Sequence, residues 1–361
     1  MTTGIRPPSS ADLSDLRARI HDELADFLAT SSAVLAEIGS DLDPMADAIA
    51  EFLLTGGKRL RPAFCYWGWR GAGGPDCDEI VRAAAALEML QACALIHDDV
   101  MDASDSRRGR PAVHRRFSKL HRRRGWQGDA DHFGESAAIL LGDLALIWAD
   151  QMLNTCGLPE PAVRAAAPAY DLMRVELMAG QYLDLLEQVS GPGSVESALR
   201  VARYKSAKYT IERPLHMGAA LAGATPALLA TYTGYGLPLG EAFQLRDDVL
   251  GVFGDPDVTG KPAGDDLREG KRTAMVALAL SAATPAQAEI VQRHLGNPEL
   301  DPTGVEEMRT VLTDTGALAS VERLIDDLLG RALDALSDGP VEPEARDVLE
   351  RLAYAATARV G

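Results

Sequence analysis

The feature that most constrains this chain is an apolar, alanine-rich run over Ile80–Ile96 that leads directly into an acidic stretch. The run predicts a buried helix, and a buried helix that ends in three aspartates needs a cationic partner at that end. Asp98 and Asp102 lie four residues apart, so on a helix their carboxylates share one face, roughly 5–6 Å from each other. Together with Asp99 they could hold magnesium through oxygen. Taken alone, the pattern also fits a solvated helix end with incidental charge.

The rest of the sequence also favours helices. Aromatic residues make up 5% of the chain and β-branched runs are few, which argues against a β architecture. Apolar residues recur at helical spacing over 13–27 and 32–54, and later segments continue the pattern between breaks at proline and glycine. These later helices are predicted over residues 62–70, 79–103, 134–155, 159–189, 194–224, 226–236, 237–253, 272–283, 284–295, 302–315, 316–337 and 342–359. We therefore expect an all-α fold, with a flexible tail over residues 1–12 and a single domain over 13–361.

Charge and composition exclude several classes of function. The net charge of −17 and the pI near 4.8 argue against general binding of nucleic acid or anionic membranes. No stretch is a convincing membrane span, and the N-terminus has no apolar signal core, so we expect a cytoplasmic protein. The four cysteines show no zinc spacing, and Cys65 and Cys93 are expected to be reduced core residues. One basic segment, residues 115–132, is interpreted as a solvated, mobile loop, with a cover over an anionic substrate as the alternative.

Cationic residues are concentrated beside glycines and helix ends. GGKRLRP at residues 56–62 combines glycines, which allow close backbone approach, with a helix N-terminus that offers N–H donors to an anion. SRRGRP at residues 106–111 follows the aspartates, and its arginines suit bidentate contacts with phosphate. A capped turn and surface ion pairs are the simpler explanations of these two stretches. Their combination with two acidic clusters favours magnesium-bridged diphosphate chemistry.

The second acidic cluster lies in QLRDDVLG at residues 244–251, and the lysines of GK dipeptides follow it at positions 261 and 271. Residues 254–261 resemble a P-loop, but five residues separate its glycines and Pro262 stands where Ser or Thr is required. His97, next to the first aspartates, could act as a base, although a structural histidine is equally consistent with its position.

These motifs together resemble the trans-isoprenyl (polyprenyl) diphosphate synthases, in particular the bacterial geranylgeranyl diphosphate synthases. The resemblance runs from about residue 56 to the C-terminal helices and is carried by motifs in the family's order. They are GGKRLRP, LIHDDVMDASDSRRGRP, LLGD, GQYLDLL, YKSAK and FQLRDDVLGVFGDPDVTGKPAGDDLREGKRT. The resemblance implies a single-domain helical bundle of the isoprenoid-synthase type around a central cavity, and a homodimer. It also implies head-to-tail transfer of a prenyl group from an allylic diphosphate to isopentenyl diphosphate, giving geranylgeranyl diphosphate.

The resemblance assigns roles to individual residues. Asp98 and Asp102 would bind magnesium with support from Asp99, and Asp247 would bind the last of three ions from a facing helix. The residues expected to hold the allylic diphosphate are Arg107, Lys205, Lys261 and Lys271. The residues expected to hold isopentenyl diphosphate are Lys58, Arg61, Arg108 and, where many relatives have histidine, Gln91. The backbone near Lys205 and Ser206, together with the side chain of Gln244, would face the developing carbocation.

Two positions depart from the family pattern. The third acidic position of the second motif is Gly251, and Ser206 stands where threonine is usual. We expect the metal site to survive because the first aspartate is the direct ligand in the family. Asp248 or Asp255 would then orient a metal-bound water in place of the missing carboxylate.

Product length is expected to depend on the helix before the first aspartates. Small side chains at Cys93 and Ala94, one turn before Asp98, replace the aromatic residue usual in farnesyl-specific relatives. Leu90 and Leu87 lie on roughly the same side, and a floor at Leu90 would be roughly 12 Å deep. We therefore expect a product longer than farnesyl diphosphate; the alternative is that these residues only fill the core and neighbouring helices set the floor. The alternatives are a farnesyl or longer polyprenyl diphosphate synthase, a terpene cyclase and a non-catalytic synthase subunit. The isopentenyl-site motifs and the retained aspartates argue against the last two.

Overall fold

The computed structural model describes residues 10–190, 193–255 and 264–358, and these form an almost entirely helical structure. The α-helices, in chain order, are α1 (Ser10–Ile38), α2 (Asp43–Leu54), α3 (Leu60–Gly71), α4 (Asp78–Met101), α5 (Val113–Arg124), α6 (Ala130–Asn154), α7 (Glu160–Val189), α8 (Val195–Val201), α9 (Arg213–Leu221), α10 (Pro226–Phe253), α11 (Asp265–Arg268), α12 (Ala274–Ala282), α13 (Pro285–His294), α14 (Pro302–Asp314), α15 (Ala317–Asp338) and α16 (Pro343–Thr357). A 3₁₀ turn (Ser40–Leu42) precedes α2, and a π-helical segment (Ala202–Glu212) joins α8 to α9.

A two-residue hairpin connects α4 to α5. Its strands, β1 (Ser106–Arg107) and β2 (Arg110–Pro111), pair antiparallel. Arg108 and Gly109 form the turn, and both have positive φ, at 54° and 73°. Positive φ at both central positions is the condition for the tight hairpin turn that matches strand twist.

Helix α4 is the central element of the bundle. It packs against α1, α3 and α6, and its residues 83–87 are completely buried. Both α4 and α6 are long and apolar enough to cross a membrane by length and composition alone. Their packing against each other in the core explains that composition, since a core helix passes the same test.

Helix α10 links two hydrophobic clusters. Leu239 belongs to a large cluster built around α1, α3, α4 and α6, whereas Leu245 and Val249 belong to a smaller one formed with the C-terminal helices. The acidic residues of α10 lie in this C-terminal half. The helix therefore carries the second aspartate motif into the region in front of α4.

Two predicted helix breaks are absent. The sequence predicted an interruption between residues 27 and 32, but α1 is continuous there, because Leu24, Leu28 and Ser31 are buried on one face of the helix. The predicted break before residue 237 is also absent, and Pro238 lies inside α10. Packing of α10 against the π-helical segment and α15 outweighs the lost backbone hydrogen bond. Residues 1–9 of the predicted tail lie outside the described residues, and 10–12 belong to α1.

The interpretation of residues 115–132 as a mobile loop was wrong. Most of this segment forms α5 and the start of α6, separated by Gly125 with a left-handed φ of 64°. Phe117 and His121 are buried, and the ring of Phe133 lies 5.4 Å from those of both His121 and Trp126. The apolar positions recur every three to four residues, but the surrounding arginines obscured this amphipathic pattern in the sequence.

Candidate active site

A cavity of about 280 Å³ opens between α3, α4, α7, the π-helical segment and α10. It brings together ten of the residues that the sequence proposed for the site. These are Lys58, Arg61, Gln91, Ala94, Asp98, Arg108, Lys205, Ser206, Gln244 and Asp247. Residues separated by nearly 190 positions in the chain thus line one small space.

Asp98 is surrounded by donors from three elements. Its Oδ1 accepts hydrogen bonds from Lys205 Nζ at 3.2 Å and from Gln181 Nε2 at 3.0 Å, while Arg107 Nη2 lies 3.5 Å from Oδ2. Burial alone would raise the pKa of Asp98, but the charges of Lys205, Arg107 and Lys271 hold that pKa below its ordinary value. The carboxylate is therefore ionised and available as a ligand at neutral pH.

Asp99 lies behind the cavity and binds Arg107. It is fully buried, and Arg107 Nε donates to its Oδ1 at 2.9 Å. Burial lowers the pKa of Arg107, but the charge of Asp99 outweighs it, so the pKa of the guanidinium is raised. This pair fixes the arginine beside the Asp98 carboxylate.

Asp102 lies at the other end of the first motif, and its pKa is shifted in the opposite direction from that of Asp98. Burial and the neighbouring charge of Asp98 raise the pKa of Asp102 to about 6. A bound cation offsets the repulsion between two neighbouring carboxylates and favours the ionised form of both. The pair therefore fits a hard divalent metal, which oxygen ligands prefer.

The carboxylates expected to bind metal do not form a closed cage. Within the described residues, no group of three or more His, Cys, Asp or Glu side chains is placed to hold one ion. Magnesium commonly keeps several waters and binds one or two carboxylates together with substrate phosphates. The open arrangement of Asp98, Asp102 and Asp247 suits that mode of binding.

Lys205 connects the first aspartate motif to α7. Its Nζ donates to Asp184 Oδ2 at 2.6 Å as well as to Asp98. Burial lowers the pKa of Lys205, but the two carboxylates outweigh this and the pKa is raised. Lys205 belongs to the π-helical segment, whose backbone approaches α7 at Gly180, where a Cβ atom would lie 2.4 Å from Lys205 N.

The second acidic motif is less exposed to the cavity than its sequence suggests. Asp247 is exposed and lines the cavity, whereas Asp248 is buried behind it. Asp248 Oδ1 accepts from Gln244 Nε2 at 2.8 Å, and Gln244 Oε1 accepts from the Ser206 hydroxyl. Burial and the charge of Asp266 raise the pKa of Asp248 to about 8, so this carboxyl is mainly protonated at neutral pH.

The basic side of the cavity is built on the start of α3. Arg61 Nη2 donates to Thr210 Oγ1 at 2.8 Å, and its guanidinium lies 4.3 Å from the centre of the Tyr209 ring. Arg61 Nε and Gln91 Oε1 are buried and have no hydrogen-bond partner within the part of the chain that the structure describes. Buried polar atoms are almost always paired, so these two atoms indicate a position for a polar ligand.

A buried ion pair supports the GGKRLRP loop. Arg59, with a left-handed φ of 52°, binds the carboxylate of Glu88 on α4 and the carbonyl oxygen of Leu53. Both charged side chains are nearly inaccessible to solvent. The pair anchors the loop between Lys58 and Arg61 to the central helix.

The hairpin directs its two arginines to different places. Arg107 binds the aspartates, whereas Arg108 Nη1 lies 3.4 Å from the carbonyl oxygens of both Phe52 and Thr55. Arg108 also lines the cavity close to Gly57, whose Cβ position would be 3.6 Å from Arg108 Nη2. The left-handed backbone of Arg108 produces this divergence.

Several predicted residues do not line the cavity. Lys271 pairs with Asp266 and Glu269, at 3.0 and 2.7 Å, and Lys261 lies outside the described residues. Of the four residues proposed to set product length, only Ala94 lines the cavity. The other three are completely buried in the core, namely Leu87, Leu90 and Cys93.

His97 has a structural environment. Its Nε2 lies 3.0 Å from the carbonyl oxygen of Ile139, and a Cβ at Gly142 would be 2.2 Å from the same nitrogen. The imidazole therefore fills the space that Gly142 leaves on α6. This favours the structural interpretation of His97 over a catalytic one.

The sequence did not identify several other residues in or beside the cavity. Gln181, which lines the cavity, and Asp184, which binds Lys205, belong to the GQYLDLL motif, but the motif indicated no role for either residue. Their separation by three positions on α7 could have indicated one helix face. No local signal marked five further lining residues, which are Glu88, Leu177, Tyr209, Thr210 and Phe243.

Comparisons with known proteins relate this chain to one family of sequences. The profile of the polyprenyl synthetase family matches residues 43–312. A geranylfarnesyl diphosphate synthase from Aeropyrum pernix is 32% identical over 315 residues, which cover 86% of this chain and 92% of the relative. A geranylgeranyl diphosphate synthase from Mycobacterium tuberculosis is 32% identical over 291 residues, 80% of this chain and 77% of the relative.

A solved structure extends the similarity to the whole fold. The geranylgeranyl pyrophosphate synthase from Corynebacterium glutamicum, complexed with isoprenyl diphosphate and magnesium, superimposes with a TM-score of 0.93. The two sequences are 42% identical, and the match covers 96% of this chain and 99% of that protein. The fold is therefore shared over nearly the full length.

Proposed function

Because this chain belongs to the polyprenyl synthetase family, we propose that it is a magnesium-dependent trans-prenyltransferase. It condenses an allylic diphosphate head-to-tail with isopentenyl diphosphate, and geranylgeranyl diphosphate is the proposed product. The relatives named above differ in product, one making a geranylfarnesyl and two a geranylgeranyl chain according to their names. Family membership alone therefore leaves the product length open.

One observation carries this proposal. The cavity has an acidic side, with Asp98 and Asp247, and a basic side, with Lys58, Arg61 and Arg108. A diphosphate bound through metal needs the first side, and a second diphosphate bound directly by cations needs the other. A terpene cyclase takes a single diphosphate and has no use for the basic side, while a non-catalytic subunit would not require both.

The acidic side fits magnesium through the carboxylates of Asp98, Asp102 and Asp247. When bound, magnesium supplies charge neutralisation for the departing diphosphate. Lys205 adds a fixed positive charge at the same place, because Asp98 and Asp184 hold its ammonium group there. We propose three magnesium ions per site, which is the number that the family resemblance implies.

The reaction follows from these two sides. The C–O bond of the allylic diphosphate breaks, its electron pair leaves with the diphosphate, and an allylic cation remains. The double bond of isopentenyl diphosphate, held by Arg61 and Arg108, attacks that cation and forms the new C–C bond. A proton then leaves the product carbon and is accepted by the released diphosphate. Gln244 and the backbone near Ser206 face the cation, and no strong protein base is needed.

A homodimer and a cytoplasmic location complete the proposal. Helix α7 exposes a stripe of apolar side chains that recur every three or four residues, a pattern that suits a partner helix. The stripe consists of Leu172, Val175, Met178, Tyr182, Leu186 and Val189. Apolar residues of α6, such as Leu140 and Ile147, are also exposed.

The reaction is tested by incubating the purified protein with isopentenyl diphosphate, magnesium and each allylic primer in turn. The alcohols obtained after dephosphorylation are then sized by chromatography. We expect elongation that stops at the geranylgeranyl alcohol and that is abolished by EDTA. Folded protein that elongates no primer would contradict the proposal.

Product length is tested on α4. Ala94 lines the cavity one turn before Asp98, so Ala94→Phe is expected to fill the tail space and shift the product toward farnesyl. Leu90→Ala is expected to deepen the same side of the helix and give longer products. Sizing the alcohols of both variants at equal conversion measures the effect. If the product length were unchanged in both variants, residues on other helices would set the product length.

A further inference from the structure

The third acidic position of the second motif is occupied from another element. Gly251 lies four residues after Asp247 on α10, which places both on one helix face. A Cβ atom built at Gly251 would lie 2.0 Å from Asp266 Oδ2 and 2.8 Å from Asp266 Cγ. The carboxylate of Asp266 thus fills the space in which a side chain at position 251 would begin.

The backbone holds Asp266 in this position. The Gly264 amide donates to the Gly251 carbonyl oxygen at 3.2 Å, which ties the start of α11 directly to α10. Gly264 has a left-handed φ of 76°, and a Cβ there would lie 2.7 Å from Val305 Cγ2. The turn before Asp266 therefore requires glycine for both its conformation and its space.

The Asp266 carboxylate is also buried, and its two oxygens have different neighbours. Asp266 is 8% exposed, and its Oδ1 accepts from Lys271 Nζ at 3.0 Å while its Oδ2 faces α10. The positive charge of Lys271 in turn acts on both Asp98 and Asp102 of the first motif. Asp266 therefore contacts the second motif at Gly251 and binds a lysine whose charge reaches the first motif.

We propose that Asp266 replaces the missing acidic residue at position 251, supporting the metal site at Asp247 and positioning Lys271 toward the substrate diphosphate. This inference rests on the proposed function, because it concerns the same metal site. The proposal also explains why position 251 is glycine, since any side chain there would displace the Asp266 carboxylate. It also assigns to Asp266 the water-orienting role that the sequence had suggested for Asp248 or Asp255. Asp248 is poorly suited to that role, because it is buried and its Oδ1 is already bound by Gln244 Nε2 at 2.8 Å.

The test uses magnesium binding instead of turnover. Thermal unfolding of the full chain is followed while Mg²⁺ is titrated in the presence of inorganic diphosphate. For Asp266→Asn we expect the Mg²⁺ concentration at half-maximal stabilisation to rise about tenfold or more, the range seen when a group supporting a metal ligand is removed. Asp326→Asn, which changes the same charge on the exposed face of α15, serves as the control and should match the wild type.

A rescue distinguishes this role from general stabilisation. Gly251→Asp alone should unfold at a lower temperature, because its side chain collides with Asp266. The double variant Gly251→Asp/Asp266→Gly moves the carboxylate back onto α10 and should recover much of the magnesium response. A wild-type response in Asp266→Asn would overturn the inference while elongation by the wild type still supported the function. A wild-type chain with no magnesium response to diphosphate would overturn both.

Discussion

At the scale of single residues, one carboxyl group in the cavity and one behind it have pKa values that are shifted in opposite directions. Cations hold Asp98 ionised, whereas burial beside Asp266 keeps Asp248 protonated near neutral pH. These two environments suit two different roles: Asp98 can bind a cation, and Asp248 can act as a neutral hydrogen-bonding partner. Asp248 in this state can hold Gln244, and Gln244 holds Ser206.

The raised pKa of Asp248 predicts a dependence of stability on pH in the metal-free chain. The folded state binds the proton more tightly than the unfolded state, so its stabilising effect is complete below the unfolded pKa of 3.8 and is lost as pH rises through about 8. Between pH 5.5 and 8, this one group should lower the free energy of unfolding by up to about 1.4 kcal/mol per pH unit.

This prediction is checked by urea unfolding in EDTA at pH 5.5, 6.5, 7.5 and 8.5. Asp248→Asn cannot ionise, so the difference in unfolding free energy between variant and wild type should increase in favour of the variant as pH rises. Parallel curves for the two proteins would contradict the assigned environment.

Most residues at this scale were accessible from the sequence, because the motifs are short and their spacing is regular. Asp98, Asp102, Lys58 and Arg61 were identified in this way and lie in or beside one cavity. Asp266 was not, because its role depends on a contact with Gly251, which lies 15 positions earlier in the sequence. Glu88 was missed because one acidic residue in an apolar helix carries no signal until its partner, Arg59, is known.

At the scale of elements, the π-helical segment organises the centre of the site. It carries Lys205, Ser206, Tyr209 and Thr210 into the cavity, and it is packed between α7 and α10 at glycines. Pi-helical turns are rare and occur frequently at functional sites. The sequence predicted one helix over residues 194–224. The spacing of apolar residues does not distinguish an α-helix, in which each N–H bonds to the carbonyl four residues earlier, from a π-helix, in which it bonds to the carbonyl five residues earlier.

Close packing at Gly240 makes the segment sensitive to a single methyl group. A Cβ at Gly240 would lie 2.5 Å from Ala207 Cα, so Gly240→Ala must displace the π-helical backbone. We expect a loss of about 1–3 kcal/mol in stability and a larger loss of elongation rate, because Ser206 moves away from Gln244. Circular dichroism melting and the elongation assay measure the two effects.

Gly330 provides the matched control within another helix. It lies in α15, and a Cβ there meets nothing within 4 Å. Gly330→Ala should leave elongation unchanged and stabilise the protein by up to about 1 kcal/mol through helix propensity. If both variants behaved alike, the packing argument at Gly240 would be wrong.

At the scale of the whole molecule, the fold class followed from the sequence, and the assembly of long helices around a cavity was implied by the family resemblance. The structure adds a surface that the motifs do not encode. The α7 stripe is apolar and exposed, with Val175 at 65% and Tyr182 at 67%. Sequence periodicity alone could not separate this outward face from the inward face of the same helix, since both are apolar.

The proposed dimer predicts a specific response to charge. In a two-fold interface the same residue is presented by both subunits, so Val175→Glu introduces two like charges near one another. We expect dissociation to monomers in sedimentation velocity. Val34→Glu is the control, because Val34 is similarly exposed, at 59%, on α1. A monomeric wild type, or a dimer that tolerates Val175→Glu, would contradict the interface.

The hairpin between α4 and α5 has a consequence for steady-state kinetics. Its left-handed turn separates two consecutive guanidiniums, so that Arg107 lies with the aspartates and Arg108 with the GGKRLRP loop. Neighbouring positions in the chain should therefore control the Michaelis constants of different substrates. Arg107→Gln is expected to raise the constant for the allylic primer about tenfold or more, and Arg108→Gln that for isopentenyl diphosphate. Initial rates over a matrix of both concentrations would separate the two effects, and equal changes in both constants would show that the arginines act as one group.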